Sequence, residues 1–319
     1  MNLIEEAAKR LQELEKAGIR VPATQPAGAR PAPADAEPIP QRVARAAAQP
    51  ARAPAPAMSP ALDTRLEPPL QQKTPDTRNY RNIDLARLQA AGFITPSVRE
   101  SKLLHEFRVI KRPLIQNALG KGAAPVANGN LIMVTSALPG EGKSFVSLNL
   151  AMSMAQELDC RVLLVDADVV RPTIPALLGI PSGKGLLDVL TERELGFGDV
   201  MMRTNVERLT VALAGTPHRG ASELLASEAM TELLQEISGR YRDRIVLFDS
   251  PPLLATTESR VLASRMGQVV IVVESERTTH GTLESALSTV EACPVVLTLL
   301  NKARAADAGS YYGYYGYGG

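Results

Sequence analysis

The chain has 319 residues, of which 22 % are charged, and its formal net charge is +1. This balance gives no overall reason to expect nucleic acid as a partner. No apolar stretch approaches the roughly 20 residues that span a bilayer, and two isolated cysteines exclude a disulfide framework. We therefore predict a cytoplasmic protein in which Cys160 and Cys293 are buried free thiols.

The first 19 residues carry apolar side chains at helical spacing, with charges of both signs opposite them. This pattern predicts an amphipathic helix. Because an isolated helix of this length is marginal in water, we expect it to pack against its own domain or another copy, against another protein, or on a membrane surface. Residues 20–78 hold more than half of the 24 prolines and few large apolar residues, which predicts a disordered linker.

Order is predicted to resume at Asn79 and to continue to residue 302. Residues 82–96 and 101–119 read as two elements, the second a helix that is stopped or bent at Pro113. Six strand-like runs rich in Val, Ile and Leu follow, typical of parallel strands buried on both faces. These runs are LIMVTS, RVLLVDAD, RLTVALAG, RIVLFDSPP, QVVIVVE and PVVLTLL.

Longer amphipathic segments separate these runs, among them KSFVSLNLAMSMAQEL and ASELLASEAMTELLQEISGRY. Alternation of buried strands with crossover helices predicts an α/β fold with a doubly wound, mostly parallel sheet.

The stretch SALPGEGKSF after the first of these strands fits a phosphate-binding loop. Glycines let backbone N–H groups converge on phosphate oxygens, and the following helix adds its positive end. Lys143 would contact the β- and γ-phosphates, and the Ser144 hydroxyl would be a ligand of Mg²⁺. We predict that the nucleotide binds here, at Gly140, Glu141, Gly142, Lys143, Ser144 and Phe145.

Carboxylates end two further strands. Asp166 and Asp168 follow the second predicted strand, and Asp249 ends the fourth, as a Walker B carboxylate does. The carboxyl edge of an open parallel sheet is where ligands bind, so the acidic pair could divide metal binding from proton transfer; a solvated loop is the alternative. Asn301 ends the last strand, where its amide fits the edge of adenine or serves a simple turn.

The C-terminal residues 303–319 form a glycine-rich tail that holds five of the seven tyrosines. Such a segment is predicted to be flexible, and it places phenols where no core can use them. The tyrosines are Tyr311, Tyr312, Tyr314, Tyr315 and Tyr317.

Together these motifs resemble the deviant-Walker group of P-loop proteins. Partition and septum-placement ATPases of that group have a signature lysine at the position of Leu138. PGEGKS, EFRVIKRPL, GLLDVL, SELLASEAM, FDSPP and the tyrosine tail instead resemble bacterial protein-tyrosine kinases of exopolysaccharide export over residues 80–319. The N-terminal helix and linker are most similar to those of the cytosolic, exosortase-associated autokinases.

The resemblance implies an ATP- and Mg²⁺-dependent autokinase whose tail tyrosines are phosphorylated by a neighbouring subunit. Asp166 would accept the phenolic proton, Lys143 would contact the phosphates, and Ser144, Asp168 and Asp249 would hold Mg²⁺. The implied partners are further copies of the chain, with a ring as one arrangement, a membrane-embedded activator of polysaccharide chain length, and a tyrosine phosphatase. The membrane-embedded activator would recruit the kinase to the inner face of the membrane.

Three positions depart from the family pattern. Val170 stands where an arginine is usual, with Arg171 next to it, and Glu258 stands in a loop that often has aspartate. The subunit-interface motif is replaced by His105, Arg108 and Lys111. Two other functions stay open: a non-kinase ATPase of the partition type, and a nucleotide-binding scaffold whose tail drives self-association.

Overall fold

The computed structural model describes residues 79–303. The predicted N-terminal helix, the linker and the tyrosine tail after residue 303 lie outside the described residues. Within the described range, no helix combines the length and the apolar character needed to cross a membrane.

Eight strands form one sheet in the order β1-β4-β5-β3-β6-β2-β7-β8. All neighbouring strands are parallel except β4 and β5, which form an antiparallel pair. The predicted α/β class with a mostly parallel sheet is therefore confirmed. The strands are β1 (Tyr80–Arg81), β2 (Leu131–Ser136), β3 (Arg161–Asp166), β4 (Met202–Thr204), β5 (Leu209–Ala212), β6 (Arg244–Asp249), β7 (Gln268–Glu274) and β8 (Val295–Asn301).

Helices cover both faces of the sheet, which explains why its central strands are apolar throughout. On one face lie α1 (Leu85–Ala90), α2 (Lys102–Ala118), α3 (Lys143–Ala155) and α4 (Ile174–Leu178). On the other lie α5 (Leu186–Thr191), α6 (Phe197–Val200), α7 (Ala221–Ala226), α8 (Glu228–Arg240), α9 (Glu258–Ala263) and α10 (His280–Leu287). Both cysteines are buried free thiols, as predicted, and burial raises the pKa of Cys160 to about 11.

Of the two outcomes predicted at Pro113, a stop is wrong, because α2 continues to Ala118, and a bend stays a prediction. Proline removes the hydrogen bond to the carbonyl four residues earlier, here that of Val109, whose side chain is 63 % exposed. Water can therefore reach this part of the helix. The segment predicted as one crossover helix is instead divided at Ser227, whose hydroxyl accepts from Met230 N at 3.2 Å and starts α8.

The strands β1 and β4 were not predicted, because two or three residues are too few to show a periodic pattern. Asn205 attaches the first of them to the sheet. Its side chain accepts from Ile83 N at 2.8 Å and donates to Ile83 O at 3.0 Å. The six predicted strands are all present.

Candidate active site

The loop between β2 and α3 is built for an anion. Gly140 and Gly142 have φ angles of 90° and 98°, in the left-handed region that favours glycine. Gly142 is also the N-cap of α3, and no side chain caps this helix. A β-carbon at Gly142 would clash with Asn301 Nδ2. The first turn of α3 therefore offers its positive end and backbone donors to a ligand.

Side chains that follow β7 or lie at and just after the end of β8 hold this loop in place. Glu141 is buried, and its carboxylate accepts from the Thr278 hydroxyl and, at 2.8 Å, from a backbone N–H of the same loop. Asn301 Nδ2 donates to Glu141 O at 2.9 Å, and Lys302 Nζ donates to Gly140 O at 2.8 Å. The side chain of Glu141 is thus an internal anchor, and only its backbone is left for a nucleotide.

Next to the loop is an open cleft of about 470 Å³. Lys143 and Ser144 lie in its wall together with Asp168, whose carboxylate is 2.6 Å from Lys143 Nζ. Although burial lowers it, the charges of Asp249 and Asp168 hold the pKa of Lys143 above its ordinary value. The lysine is therefore a fixed cation in an acidic cleft.

Asp249 and Asp166 lie behind this wall, on neighbouring strands and in register. Both are fully buried. Ser147 Oγ donates to Asp249 Oδ1 at 3.1 Å, whereas Asp249 Oδ2 is buried with no hydrogen-bond partner among the described residues. Burial raises the pKa of Asp249 against the opposing charge of Lys143. An unpaired buried carboxylate oxygen is costly without a cation or donor nearby.

Asp166 does not line the cleft. Its two carboxylate oxygens accept from the backbone N–H groups of Asp168 and Ile174, each at 3.2 Å. Burial, with the nearby charge of Asp249, raises the pKa of Asp166 to about 8. The predicted acidic pair is thus divided, with Asp168 in the cleft wall and Asp166 beneath it.

The donor set can be tested for a divalent cation. No group of three or more His, Cys, Asp or Glu side chains in residues 79–303 forms a complete metal site. Mg²⁺ rarely needs one, since it is usually held by one or two carboxylates, waters and substrate phosphates. The charges of Asp166, Asp168 and Asp249 act on one lysine here. Asp249 Oδ2 is buried without a hydrogen-bond partner among the described residues. The residues present therefore fit Mg²⁺ that arrives with a nucleotide.

Sequence reasoning missed two polar groups of the site. Thr173 Oγ1 donates to Ser144 Oγ at 2.9 Å, and Ser147 is hydrogen-bonded to Asp249. Ser147 lies four residues after Lys143 on one helix, so helical spacing could have identified it. Thr173 has no such signal, because the chain must fold back after β3 to bring it to the loop.

The structure locates the residues that depart from the family pattern. Val170 and Arg171 both line the cleft, so a guanidinium is present one residue later than usual. Glu258 is buried, and its carboxylate accepts from Ser222 Oγ at 2.9 Å outside the cleft, joining α9 to α7. Lys111 is buried and turned inward, whereas His105 and Arg108 are exposed.

A second cavity of about 530 Å³ lies on the other side of the loop, between α2 and the end of β8. Asn301 lies in its wall rather than in the cleft. Phe145 lines both cavities, and the groove is mostly apolar, with Leu103 and Phe107 also contributing. The loop therefore separates a charged cleft from an apolar groove.

A glycine-rich loop, a lysine and serine at the start of a helix, and carboxylates at two adjacent strand ends define a P-loop nucleotide-binding protein. Comparison with known proteins supports this class. A ParA family model, described as NUBPL iron-transfer P-loop NTPase, matches residues 128–277.

The chain is 33 % identical to tyrosine-protein kinase YwqD of Bacillus subtilis over 186 residues, 58 % of this chain and 77 % of the relative. It is 36 % identical to the putative tyrosine-protein kinase EpsB of Ralstonia nicotianae over 60 % of this chain, but spans only 26 % of that longer protein. The solved kinase domain of VpsO superposes with a TM-score of 0.53 at 28 % identity, covering 63 % of this chain and 96 % of that one. The chain belongs to the bacterial tyrosine-protein kinase family.

Proposed function

We propose that this kinase transfers the γ-phosphoryl group of ATP to Tyr311, Tyr312, Tyr314, Tyr315 and Tyr317 of a neighbouring copy. One observation carries the proposal: a lysine, a helix-start serine and three carboxylates converge at an open cleft in a chain that ends in clustered phenols. Phosphoryl transfer needs alignment and charge stabilisation more than covalent chemistry. A glycine-rich segment can bring several hydroxyls to one such cleft.

In this proposal the triphosphate lies along the loop. Lys143 exchanges part of its contact with Asp168 for the β- and γ-phosphates, and the start of α3 faces the same oxygens. The adenine ring would lie in the apolar groove beside Phe145, and Asn301, which also lines this groove, would contact its edge. Glu141 acts through its backbone and its anchoring contacts.

Ser144, Asp168 and Asp249 would hold Mg²⁺, which when bound offsets the charge of the phosphates. Thr173 orients Ser144 by donating to its hydroxyl, and Ser147 fixes one oxygen of Asp249 so that the other remains available. Arg171 stands in the cleft wall as a second cation for the transferred group.

Asp166 is the proposed acceptor of the phenolic proton. A base works best when its pKa is near the working pH, and the pKa of this carboxyl is raised to about 8 by burial. Because Asp166 is buried, its carboxylate can receive the phenolic proton only across the segment 166–168 or after this segment moves. Asp168, which already faces the cleft, is the alternative base.

The test is incubation of the purified full-length chain with Mg-ATP, followed by mapping of phosphorylated residues by mass spectrometry. We expect phosphotyrosine in the tail but not at Tyr80 or Tyr241, and none in Lys143→Met. Transfer between copies is measured by mixing Lys143→Met, whose tail is intact, with an active chain carrying five Tyr→Phe changes in the tail. Phosphate on the tail of Lys143→Met supports transfer between subunits, and an unlabelled tail contradicts it.

The match to the ParA model supports one alternative function, that of an ATPase that transfers phosphate only to water. Leu138 stands where ATPases of the partition type have their signature lysine, and its side chain is 41 % exposed. Steady phosphate release without protein labelling would favour this alternative.

We further propose that phosphorylation controls polymerisation or export of an exopolysaccharide, at the inner face of the membrane. Support comes from the resemblance of the sequence motifs to kinases of that process. A membrane-embedded activator, a phosphatase and ring assembly belong to the same proposal, with exposed His105 and Arg108 on α2 as candidate contacts between copies. Equal polymer length in wild-type cells and in cells with Lys143→Met would contradict it.

A further inference from the structure

A third cavity lies at the opposite edge of the sheet, where β3, β5 and β6 begin. It has a volume of about 550 Å³, and four arginines line it. We call it the arginine pocket and define it by Arg161, Arg203, Arg208 and Arg244. The strands run from this pocket to the catalytic cleft, so the two sites occupy opposite edges.

The positive charge of the arginine pocket is only partly offset. Asp243 pairs with Arg161 and Arg244, each at 3.2 Å, and Glu207 pairs with Arg208 at 3.2 Å. Four guanidinium groups thus face two carboxylates. Burial opposes the shift, but hydrogen bonding from Arg244 and the charges of Arg244 and Arg161 hold the pKa of Asp243 below its usual range. The pocket therefore keeps its excess positive charge at all physiological pH values.

The pocket is partly preorganised. The side chain of Arg244 is only 18 % exposed, and its guanidinium lies over the Tyr241 ring at 4.9 Å. Arg208 has a φ of 67°, in a region that disfavours side chains, although glycine would fit this turn between β4 and β5. A non-glycine residue held in that region points to a role for its side chain.

We propose that the arginine pocket binds a phosphotyrosine of the C-terminal tail. Arginine forks match phosphate oxygens by paired hydrogen bonds, and a phosphomonoester carries close to two negative charges at neutral pH, which equals the uncompensated charge here. The pocket is concave and local in a chain of net charge +1, unlike the extended basic surface that nucleic acid requires. This proposal rests on the proposed autokinase activity for the source of its ligand.

The binding test separates these two proposals by supplying the phosphate chemically. The full-length Lys143→Met chain is titrated with a synthetic peptide of residues 309–319 phosphorylated at Tyr312 and Tyr315, at about physiological ionic strength and without phosphate buffer. We expect binding of this peptide, none of its unphosphorylated form, and competition by phenyl phosphate. Failure of autophosphorylation in the separate labelling assay would leave this result unaffected.

Paired variants locate the site. Arg203→Gln with Arg208→Gln should weaken peptide binding at least about tenfold, given the strength of charged hydrogen bonds. The corresponding lysine variants should bind with intermediate strength, because they keep the charge but lose the fork. Arg99→Gln, an exposed change in the loop between α1 and α2, is the matched control and should bind as Lys143→Met alone does. Thermal midpoints equal to that of Lys143→Met itself, in a chain that shows a cooperative transition, confirm folding.

Two further arms decide between sources of the anion. Sedimentation of phosphorylated wild-type protein shows which tail is bound. If the pocket binds the tail of a second copy, the chains associate and the Gln variants abolish this association. If it binds the chain's own tail, added peptide is blocked and the chains do not associate. Vesicles of phosphatidylglycerol test a membrane as the ligand. Peptide binding that is absent, or equal in the Gln variants, overturns the proposal, and so does arginine-dependent vesicle binding without peptide binding.

Discussion

The two edges of the sheet carry opposite charges and handle them differently. At the carboxyl edge, Asp166 and Asp249 are fully buried, and their charges act on Lys143. At the amino edge, arginines remain partly solvated and the acids beside them are about half or more exposed. Buried charge is expensive unless it is compensated, so an ionised acid strains the carboxyl edge when no ligand is bound, whereas the arginine pocket costs little.

The largest effect that would sharpen this contrast is expected from Lys143→Met. Loss of the lysine that pairs with Asp168 beside two buried carboxylates should lower the free energy of unfolding by roughly 3–5 kcal/mol, and transfer to tyrosine should fall about 10²–10³-fold or more. Thermal unfolding and phosphotyrosine formation measure the two effects. Adding Asp168→Asn should restore much of the stability but none of the activity. Equal stability of wild type and Lys143→Met would show that the buried acids do not strain the carboxyl edge, and this difference between the two edges would be lost.

The second prediction concerns pH. The raised pKa of Asp166, about 8, means that the folded chain keeps a proton that the unfolded chain loses near pH 4. The free energy of unfolding should therefore fall as pH rises from about 4 to about 8, by up to about 1.4 kcal/mol per pH unit from this group. Asp166→Asn should flatten that slope. Denaturant titrations at several pH values measure it, with Asp84→Asn, an exposed N-cap of α1, as the control.

An unchanged slope in Asp166→Asn would mean that this carboxyl ionises freely in the folded state. Activity should be lost in the same variant if Asp166 is the base. Should Asp168→Asn alone abolish transfer while Asp166→Asn retains it, the base would be the residue in the cleft wall.

Sequence patterns predicted which residues meet at the carboxyl edge far better than which meet at the amino edge. The loop and the three acids follow strand ends, and parallel strands bring their ends together, so local motifs were enough. The burial of Asp166 beneath Asp168 was not predictable, because it depends on the turn that carries Ile174 back to it. The arginine pocket joins residues from β3, β4, the β4–β5 turn and β6, and no motif links them.

The third prediction, with a smaller expected effect, concerns Lys111, a cation whose partners belong to its own chain. Its ammonium donates to Ser153 O at 2.6 Å and pairs with Glu157 at 2.7 Å. Lys111→Met should cost roughly 1–3 kcal/mol, since it leaves a buried carbonyl at the end of α3 without its donor. Arg203→Gln should change stability by no more than about 0.5 kcal/mol. Similar losses in both variants would break the distinction between a structural cation and a ligand-binding one.

The smallest predicted effect separates backbone cost from ligand binding at Arg208. Because its φ of 67° suits glycine, Arg208→Gly should leave stability unchanged or raise it by about 0.5–1 kcal/mol, whereas Arg208→Ala should bring no such gain. Both variants should bind the phosphotyrosine peptide equally weakly, because both lack the guanidinium. Chemical denaturation and peptide titration of the two variants measure this. A glycine variant that binds as tightly as the parent would show that the turn, and not the arginine, serves the pocket.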